Sequence, residues 1–413
     1  MKKLLLPLIL FVFVFQSCTT DGLNGDDKRP KELPRALTSS EQDLIRSGNA
    51  FSFNIFDKVV TAEEDKNVFI SPLSISMALG MTLNGAAGST QTGIKETLGM
   101  GEMQLQAINE SYQSLIKLLV ELDPKVDMNI GNSLWGREGF PIQQSFKDTL
   151  QTYFNARADE LDFADPAAAD VINDWVNEQT NGRIEEIIEG PIPRDIVLYL
   201  INTVYFKGDW LYQFDEEDTR STPFTLADES TVQVDMMSQK MPLASLKSEQ
   251  VHMAELAYGD SLYKMTILMP GQRGTPIESF ISESLTASNL ADWTGQLETR
   301  GDVQVQLPKF ESEYGKKLND ILISMGMDEA FDDFNAEFPN INPNSQIFIS
   351  EVQHKASITV NEEGSEAAAA TSVGAGVTSL GPHFFVDRPF VYLIRERISG
   401  TVLFMGMMKN PVQ

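Results

Sequence analysis

The 413-residue chain holds one cysteine, Cys18, and three histidines, His252, His354 and His383. A single thiol closes no internal disulfide, and three scattered histidines with one cysteine do not read as a His/Cys zinc cluster. No metal and no cofactor is implied. Positive charge is also scarce: 32 Lys and Arg stand against 59 Asp and Glu, a net charge of −27. Loss of a leader carrying Lys2 and Lys3 would make it 30 − 59 = −29. Such a surface repels phosphate backbones and anionic lipids, so nucleic-acid partners are not expected. No Gly-x-Ser-x-Gly elbow occurs, and the pair Gly374 and Gly376 lacks the later glycine and following helix of a dinucleotide site. The carboxylates are placed as on a solvated face. Short of a Ser/His/Asp triad assembled from scattered residues, nothing marks an enzyme.

What is present begins with "MKKLLLPLILFVFVFQSC". Two lysines, an apolar run and small or polar residues read as a signal peptide over 1–17, the run being too short for a comfortable membrane span. Cys18 stands where the leader would be cut. It resembles the lipid-modified first residue of bacterial lipoproteins, with Ser17 before it and Phe15 and Gln16 departing from the commonest form. The alternative is an ordinary leader in which Cys18 is incidental. Both readings export the protein, to the cell envelope or beyond it. Residues 18–37 are polar with Gly and Pro, a tether ahead of a folded domain at 38–413. With 42% hydrophobic residues, that domain can bury a sizeable core.

Thr38 and Glu41 form a capping-box pattern, followed by Leu44, Gly48, Phe51, Ile55 and Val59 at helical spacing. Ser71 and Pro72 predict the start of a second helix, whose Ser74, Ala78 and Gly80 are small enough to admit a neighbour. Residues 171–188 also look helical, with Gly182 as a stop. From about 196 the pattern changes. "IVLYLINTVYFKGDW" reads as a strand buried on both faces, and "VQVQLPKF" alternates with period two. "QIFISEVQHKASITVNEE" reads as one long strand. "HFFV", "FVYLIRE" and "TVLFMGMM" are short strands, the last two joined across Ile398, Ser399 and Gly400. Helices early and strands late predict an α+β fold, and no internal repeat is found.

Between these strands lies "EEGSEAAAATSVGAGVTSLG" (362–381), in which almost nothing is larger than valine. A flexible linker should join two domains, and too little chain follows to make a second. A latent strand is the better reading. Ser365, Ala367, Ala369, Thr371, Val373 and Ala375 would share one face, all small and uncharged, with Glu366 on the other. Poor strand propensity lets the same segment stand as a loop, and Gly364 supplies a pivot.

"EEGSEAAAAT" closely matches the hinge of inhibitory serpins, protease inhibitors that act by loop insertion. "NVFISPLSI" (67–75), "INTVYFKGDW" (201–210), "LPKF" (307–310), "VQHKASITVNEEG" (352–364), "DRPFVYLI" (387–394) and "LFMGMMKNP" (403–411) resemble the family in order and spacing. The resemblance covers essentially all of 38–413. It implies a single serpin-type domain with three β-sheets, eight or nine helices and an exposed reactive-centre loop. It places the hinge at Glu362, Glu363, Gly364, Ser365, Glu366, Ala367, Ala368, Ala369, Ala370 and Thr371. It assigns Ser71, Ser74, Asn202 and His354 to the polar shutter beneath the sheet that must open. Trp210 and Lys309 fall in the breach where the loop first enters, with Lys309 placed to pair with Glu362.

Counting forward from Glu362 and backward from Pro389 by the family's spacing lands on one bait bond, Thr378–Ser379. Val377 stands beside it, and a slip of one residue would make Val377 the bait. The implied function is suicide inhibition of a serine protease. A small β-branched bait suits the narrow pocket of elastase-like enzymes. Papain-like cysteine proteases also form an acyl-enzyme and are a second target class. A monomer is expected. The alternative is a non-inhibitory serpin acting as a surface binding or structural lipoprotein; such members typically carry bulky, charged or proline residues in the hinge, whereas this hinge departs nowhere from the inhibitory pattern.

Overall fold

The computed structural model describes residues 32–63, 66–365 and 381–413. The first helix, α1 (Ser39–Thr61), begins where the sequence predicts. The Thr38 hydroxyl accepts the Glu41 N–H, and the Glu41 carboxylate accepts the Thr38 N–H. After β1 (Val68–Ile70), helix α2 (Pro72–Gly85) is capped by the Ser71 hydroxyl, with Pro72 in its first turn. Helices α3 (Gly88–Thr97) and α4 (Leu105–Glu121) follow. The small face of α2 is used as expected: a Cβ on Gly80 would stand 2.7 Å from the Tyr112 ring of α4.

The chain then runs through β2 (Val126–Arg137), α5 (Gln144–Phe154), β3 (Arg157–Leu161) and α6 (Ala168–Gln179). Helix α6 ends at Gln179, just before the predicted stop at Gly182, and the helical look of the pattern from there to 188 is not realised. Asn181 (φ 49°) and Gly182 (φ 83°) are left-handed, and the Thr180 hydroxyl takes the Ile184 N–H. The following residues fold back, and Ile187 and Ile188 both donate to Asn173 Oδ1. Local polar side chains thus outcompete helix continuation.

Strand β4 (Leu198–Asp209) is followed by β5 (Arg220–Thr225), β6 (Thr231–Lys247), β7 (Val251–Tyr258) and β8 (Tyr263–Pro270). Helices α7 (Ile277–Ser284) and α8 (Ala287–Gly295) precede β9 (Glu298–Pro308), β10 (Phe310–Lys317) and α9 (Asn319–Leu322). The last strands are β11 (Gln353–Val360), β12 (Gly364–Ser365), β13 (His383–Phe385), β14 (Phe390–Glu396) and β15 (Val402–Met408). In β9 the predicted alternation is seen: Val303, Val305 and Leu307 are buried, and Gln304 and Gln306 are half-buried between them.

The main sheet has six strands in the order β10-β11-β12-β4-β2-β3. Its backbone is the long antiparallel pair β2–β4, registered from Val126 opposite Gly208 to Gly136 opposite Leu198. Two further sheets, β1-β15-β14-β8-β7 and β5-β6-β9-β13, are joined into one hydrogen-bonded surface because β6 is long enough to serve both. Helix α2 is almost wholly buried and packs against β4 and β15, between the two layers. The architecture is the α+β arrangement that the pattern predicts, with nine α-helices among the described residues.

One long strand over 346–363 is not found. Residues 346–352 are not strand, and regular pairing starts at Gln353. The earlier stretch bonds elsewhere: Val352 N–H donates to Asn319 Oδ1, Ile349 N–H to the Ala330 carbonyl, and the Ser350 carbonyl accepts from Asn319 Nδ2.

Candidate functional site

The six-stranded sheet is continuous across its middle only through β12, which is two residues long. Ser365 pairs with Val360 of β11 on one side and with Gly208 of β4 on the other. Below that rung a cavity of about 150 Å³ lies between the β4 side (residues 195–202) and the β11 side (residues 346–354), floored by Ser74, Ile75 and Ala78 of α2. The site is therefore a seam between two strands, closed at its upper end by the first hinge residues.

At the upper end the chain turns sharply. Asn361 Oδ1 accepts the N–H groups of Glu363 and Gly364, and Asn361 N–H donates to the Gly364 carbonyl, folding β11 back into β12. Trp210, the residue just after β4, clamps this turn. Its backbone N–H donates to the Glu363 carbonyl at 2.7 Å and its indole Nε1–H to the Asn361 carbonyl at 2.9 Å. The indole is stacked on Tyr258 with ring centroids 4.4 Å apart.

Glu362 is buried, and Lys309 Nζ lies 2.9 Å from its carboxylate while the Thr219 hydroxyl donates at 2.6 Å. Burial by itself pushes this carboxyl up. The Thr219 and Lys309 hydrogen bonds and the Lys309 charge outweigh it and hold the pKa below its ordinary value. Glycine is required at 364 for space rather than for a left-handed conformation: a Cβ there would meet the Gly208 carbonyl oxygen at 2.1 Å. Ser365 is 2% exposed, and its hydroxyl is 2.6 Å from the Tyr258 hydroxyl.

At the lower end, Ser71, Ser74, Asn202 and His354 are all buried and come together. The Ser71 N–H donates to His354 Nε2 at 3.0 Å, the Ser71 hydroxyl donates to the Leu403 carbonyl, and the Ser74 hydroxyl donates to the Asn202 carbonyl at 3.2 Å. An accepting Nε2 requires a neutral imidazole, and burial depresses the His354 pKa from 6.5 to about 4. Asn202 donates through Nδ2 to Asn132 Oδ1 at 2.7 Å, but its own Oδ1 is buried without a donor. Asn202 and His354 both line the cavity, so the polar group beneath the seam is only partly satisfied.

The structure thus brings Ser71, Ser74, Asn202 and His354, which the resemblance assigns to a shutter, into one buried network, and Trp210 and Lys309, which it assigns to a breach, onto the turn at 361–364. Of the hinge, Glu362, Glu363, Gly364 and Ser365 are described. Glu366, Ala367, Ala368, Ala369, Ala370 and Thr371, the bait residues Val377, Thr378 and Ser379, and Cys18 lie outside the described residues. Residues missed by the sequence reading are Tyr258, Thr219, Asn361 and Asn132. Only Asn361, an Asn just before a Gly-containing turn, carried a local signal.

Comparisons with known proteins agree with this geometry. A family model described as Serpin (serine protease inhibitor) matches residues 46–411. Human neuroserpin is 34% identical over 376 residues, covering 87% of this chain and 90% of its own length. The leukocyte elastase inhibitor of Xenopus tropicalis is 33% identical over 383 residues, covering 90% of this chain and 100% of its own. Among solved structures, thyroxine-binding globulin in complex with thyroxine superposes with a TM-score of 0.82 at 30% identity, over 89% of this chain and 99% of that one. With the family model spanning most of the sequence and the fold in agreement, the chain belongs to the serpin family.

Proposed function

We propose that this serpin is a suicide inhibitor of serine proteases, with the bond Thr378–Ser379 as bait and the hinge loop 362–377 inserting into the seam between β4 and β11. The observation that carries the reading is the state of the main sheet. Its two halves are joined by the hinge residues Gly364 and Ser365, and a cavity and the unmet Asn202 acceptor lie directly below. A strand continuing from Ser365, with only small residues on its inward face, would bring new N–H donors to that region.

In the proposed sequence, the protease serine attacks the Thr378 carbonyl, the acyl-enzyme forms, and the bond to Ser379 breaks. Insertion then competes with the arrival of water. Roughly a dozen inserting residues would form buried backbone hydrogen bonds worth about 1 kcal/mol net each. The total, on the order of 10 kcal/mol, matches the stability of a whole domain. The uninserted form is then protected kinetically, and cleavage releases it. Thr378 favours elastase-like enzymes, because a trypsin-type pocket would keep its carboxylate unpaired. Papain-like proteases are a second target class. We further propose that the protein is exported, anchored through Cys18, and works as a monomer.

The test is incubation of the folded domain with a protease panel. Complexes surviving denaturing electrophoresis, together with a released fragment beginning at Ser379 by mass spectrometry, are the expected result. Cleavage without any complex would instead favour the non-inhibitory reading.

A further inference from the structure

A second cavity, of about 340 Å³, is lined by the end of β6 and by residues of β7, β8, β9 and β13. Its apolar wall is Met269, Val303 and Phe384, all buried. Its charged lining is Lys247, Arg273, Arg300 and Arg388 against Glu298 and Asp387, a balance of 4 − 2 = +2 in a chain whose net charge is −27. That local reversal of sign runs against the rest of the composition.

The centre of the cluster is Arg388. It is 9% exposed, so the guanidinium is desolvated, and its hydrogen bonds leave a donor over. Nη2 donates to the Pro270 carbonyl at 2.9 Å and Nη1 to Asp387 at 3.2 Å. Nε is buried and has no acceptor among the described residues. Asp387 cannot neutralise Arg388 alone, because it is also paired with Arg273. Arg300 pairs with Glu298 at the exposed rim, while Lys247 has no ion pair among the described residues. His252, at the same cavity, reports the field. Burial first, and then the charges of Arg388, Lys247 and Arg273, depress it to about 4 against the smaller pull of Asp387.

A buried guanidinium whose one carboxylate partner is shared with Arg273, extra cationic charge and an apolar wall is what a small oxyanion with an apolar substituent needs. We propose that this cavity binds a phosphate or phosphate monoester, with the oxyanion against Arg388 and Lys247 and Arg300 at the rim. The strand β13 forms part of the wall and opens three residues after position 380, with Gln304 N–H of β9 donating to the Pro382 carbonyl. An occupant would therefore sit just after the segment 366–380.

The test is calorimetric titration of the whole protein at fixed ionic strength with inorganic phosphate and, separately, with phenyl phosphate. Saturable one-to-one binding is expected. A preference for phenyl phosphate would point to a monoester as ligand, and equal affinity to the free ion. Lys247→Gln, an exposed change that should leave folding intact, is expected to weaken binding about threefold. Arg388→Gln should weaken it at least about tenfold. As a readout independent of folding losses, the His252 ring should titrate at higher pH when phosphate is bound, measured by NMR in the wild type. Absence of saturable binding, or binding and a His252 titration both indifferent to Lys247→Gln and Arg388→Gln, overturns the proposal.

Discussion

The two ends of the seam are built differently. At the upper end every polar group is engaged: Glu362 by Lys309 and Thr219, the turn by Asn361 and Trp210, and Ser365 by Tyr258. At the lower end a buried acceptor on Asn202 is unmet, a neutral histidine is held by one backbone N–H, and a cavity replaces a strand. The upper end holds a two-residue rung in place. The lower end has a cavity where the rung is not continued, and under the proposed function it is the place the rest of the strand would fill. A sheet meant to remain static would gain by closing the lower end. Leaving it underfilled keeps the two halves separable.

The sharpest way to break that contrast is to overload the first rung. Ser365→Arg would place a guanidinium where the native side chain is 2% exposed and faces a tyrosine hydroxyl. Unpaired burial costs several kcal/mol, so residue 365 should leave the sheet and the rung between β4 and β11 should be lost. The expected outcome is a protein still cleaved in its loop but forming no covalent complex, and gaining less thermal stability on cleavage than the wild type. If Ser365→Arg inhibited as well as wild type, insertion past this position would be excluded.

The second test addresses the lower end through pH. A histidine depressed from 6.5 to about 4 is neutral in the fold and charged when unfolded over that range, so the native state binds fewer protons there. Its stability contribution is complete above about pH 6.5 and is lost as pH falls toward 4, at most about 3 kcal/mol. His252 is depressed in the same direction and to about the same value, so wild type alone cannot separate the two. His354→Gln keeps an acceptor for the Ser71 N–H but does not titrate. Denaturant unfolding at pH 7 and pH 5 should show a smaller acid loss in His354→Gln than in wild type. An undiminished loss would assign the effect to His252.

How much of this was legible in the sequence differs by physical cause. Caps depend on a few adjacent residues, and both predicted starts, at Thr38 and Ser71, are where the chain places them. The hairpin around Gly400 follows from two apolar runs and a turn, and Gly400 is indeed left-handed at φ 75°. Strand β2 was not marked, because Asn129, Gly131, Asn132 and Ser133 are poor strand formers that β4 holds in place by pairing. The end of α6 and the break at 346–352 were set by side chains far along the chain or on a neighbouring turn, Thr180 and Asn319, which periodicity does not register. The shutter and breach residues were identified by resemblance. Their motifs carry no chemistry that composition alone would reveal, and Tyr258, which closes the latch, escaped for the same reason.

A smaller effect is expected at the ion pair. Lys309→Gln leaves Glu362, 4% exposed, with the Thr219 hydroxyl as its remaining side-chain donor. Because Lys309 is itself about a third exposed, solvent already screens the pair, and the expected loss is about 1–2 kcal/mol. The Glu362 pKa lies below its ordinary value, so the stabilisation is present above pH 4.5 and is lost as pH falls through the folded value. Wild type and variant should therefore converge in stability under acid. A gap that stayed constant down to pH 3 would mean that Lys309 acts by packing rather than by charge.

The finest test separates the ring of Tyr258 from its hydroxyl. Tyr258→Phe keeps the stack on Trp210 at 4.4 Å and removes only the partner of the Ser365 hydroxyl, 2.6 Å away. A buried hydroxyl left without its partner costs about 1 kcal/mol, enough to open the rung roughly fivefold more often. Hydrogen exchange at the Ser365 amide should accelerate by about that factor while the β2–β4 ladder is unaffected. A much larger destabilisation, spreading into β4, would show that the hydroxyl pair holds the sheet as a whole. With the change confined to the first rung, the upper end behaves as a local latch, strong enough to seat one residue and weak enough to let a strand follow it.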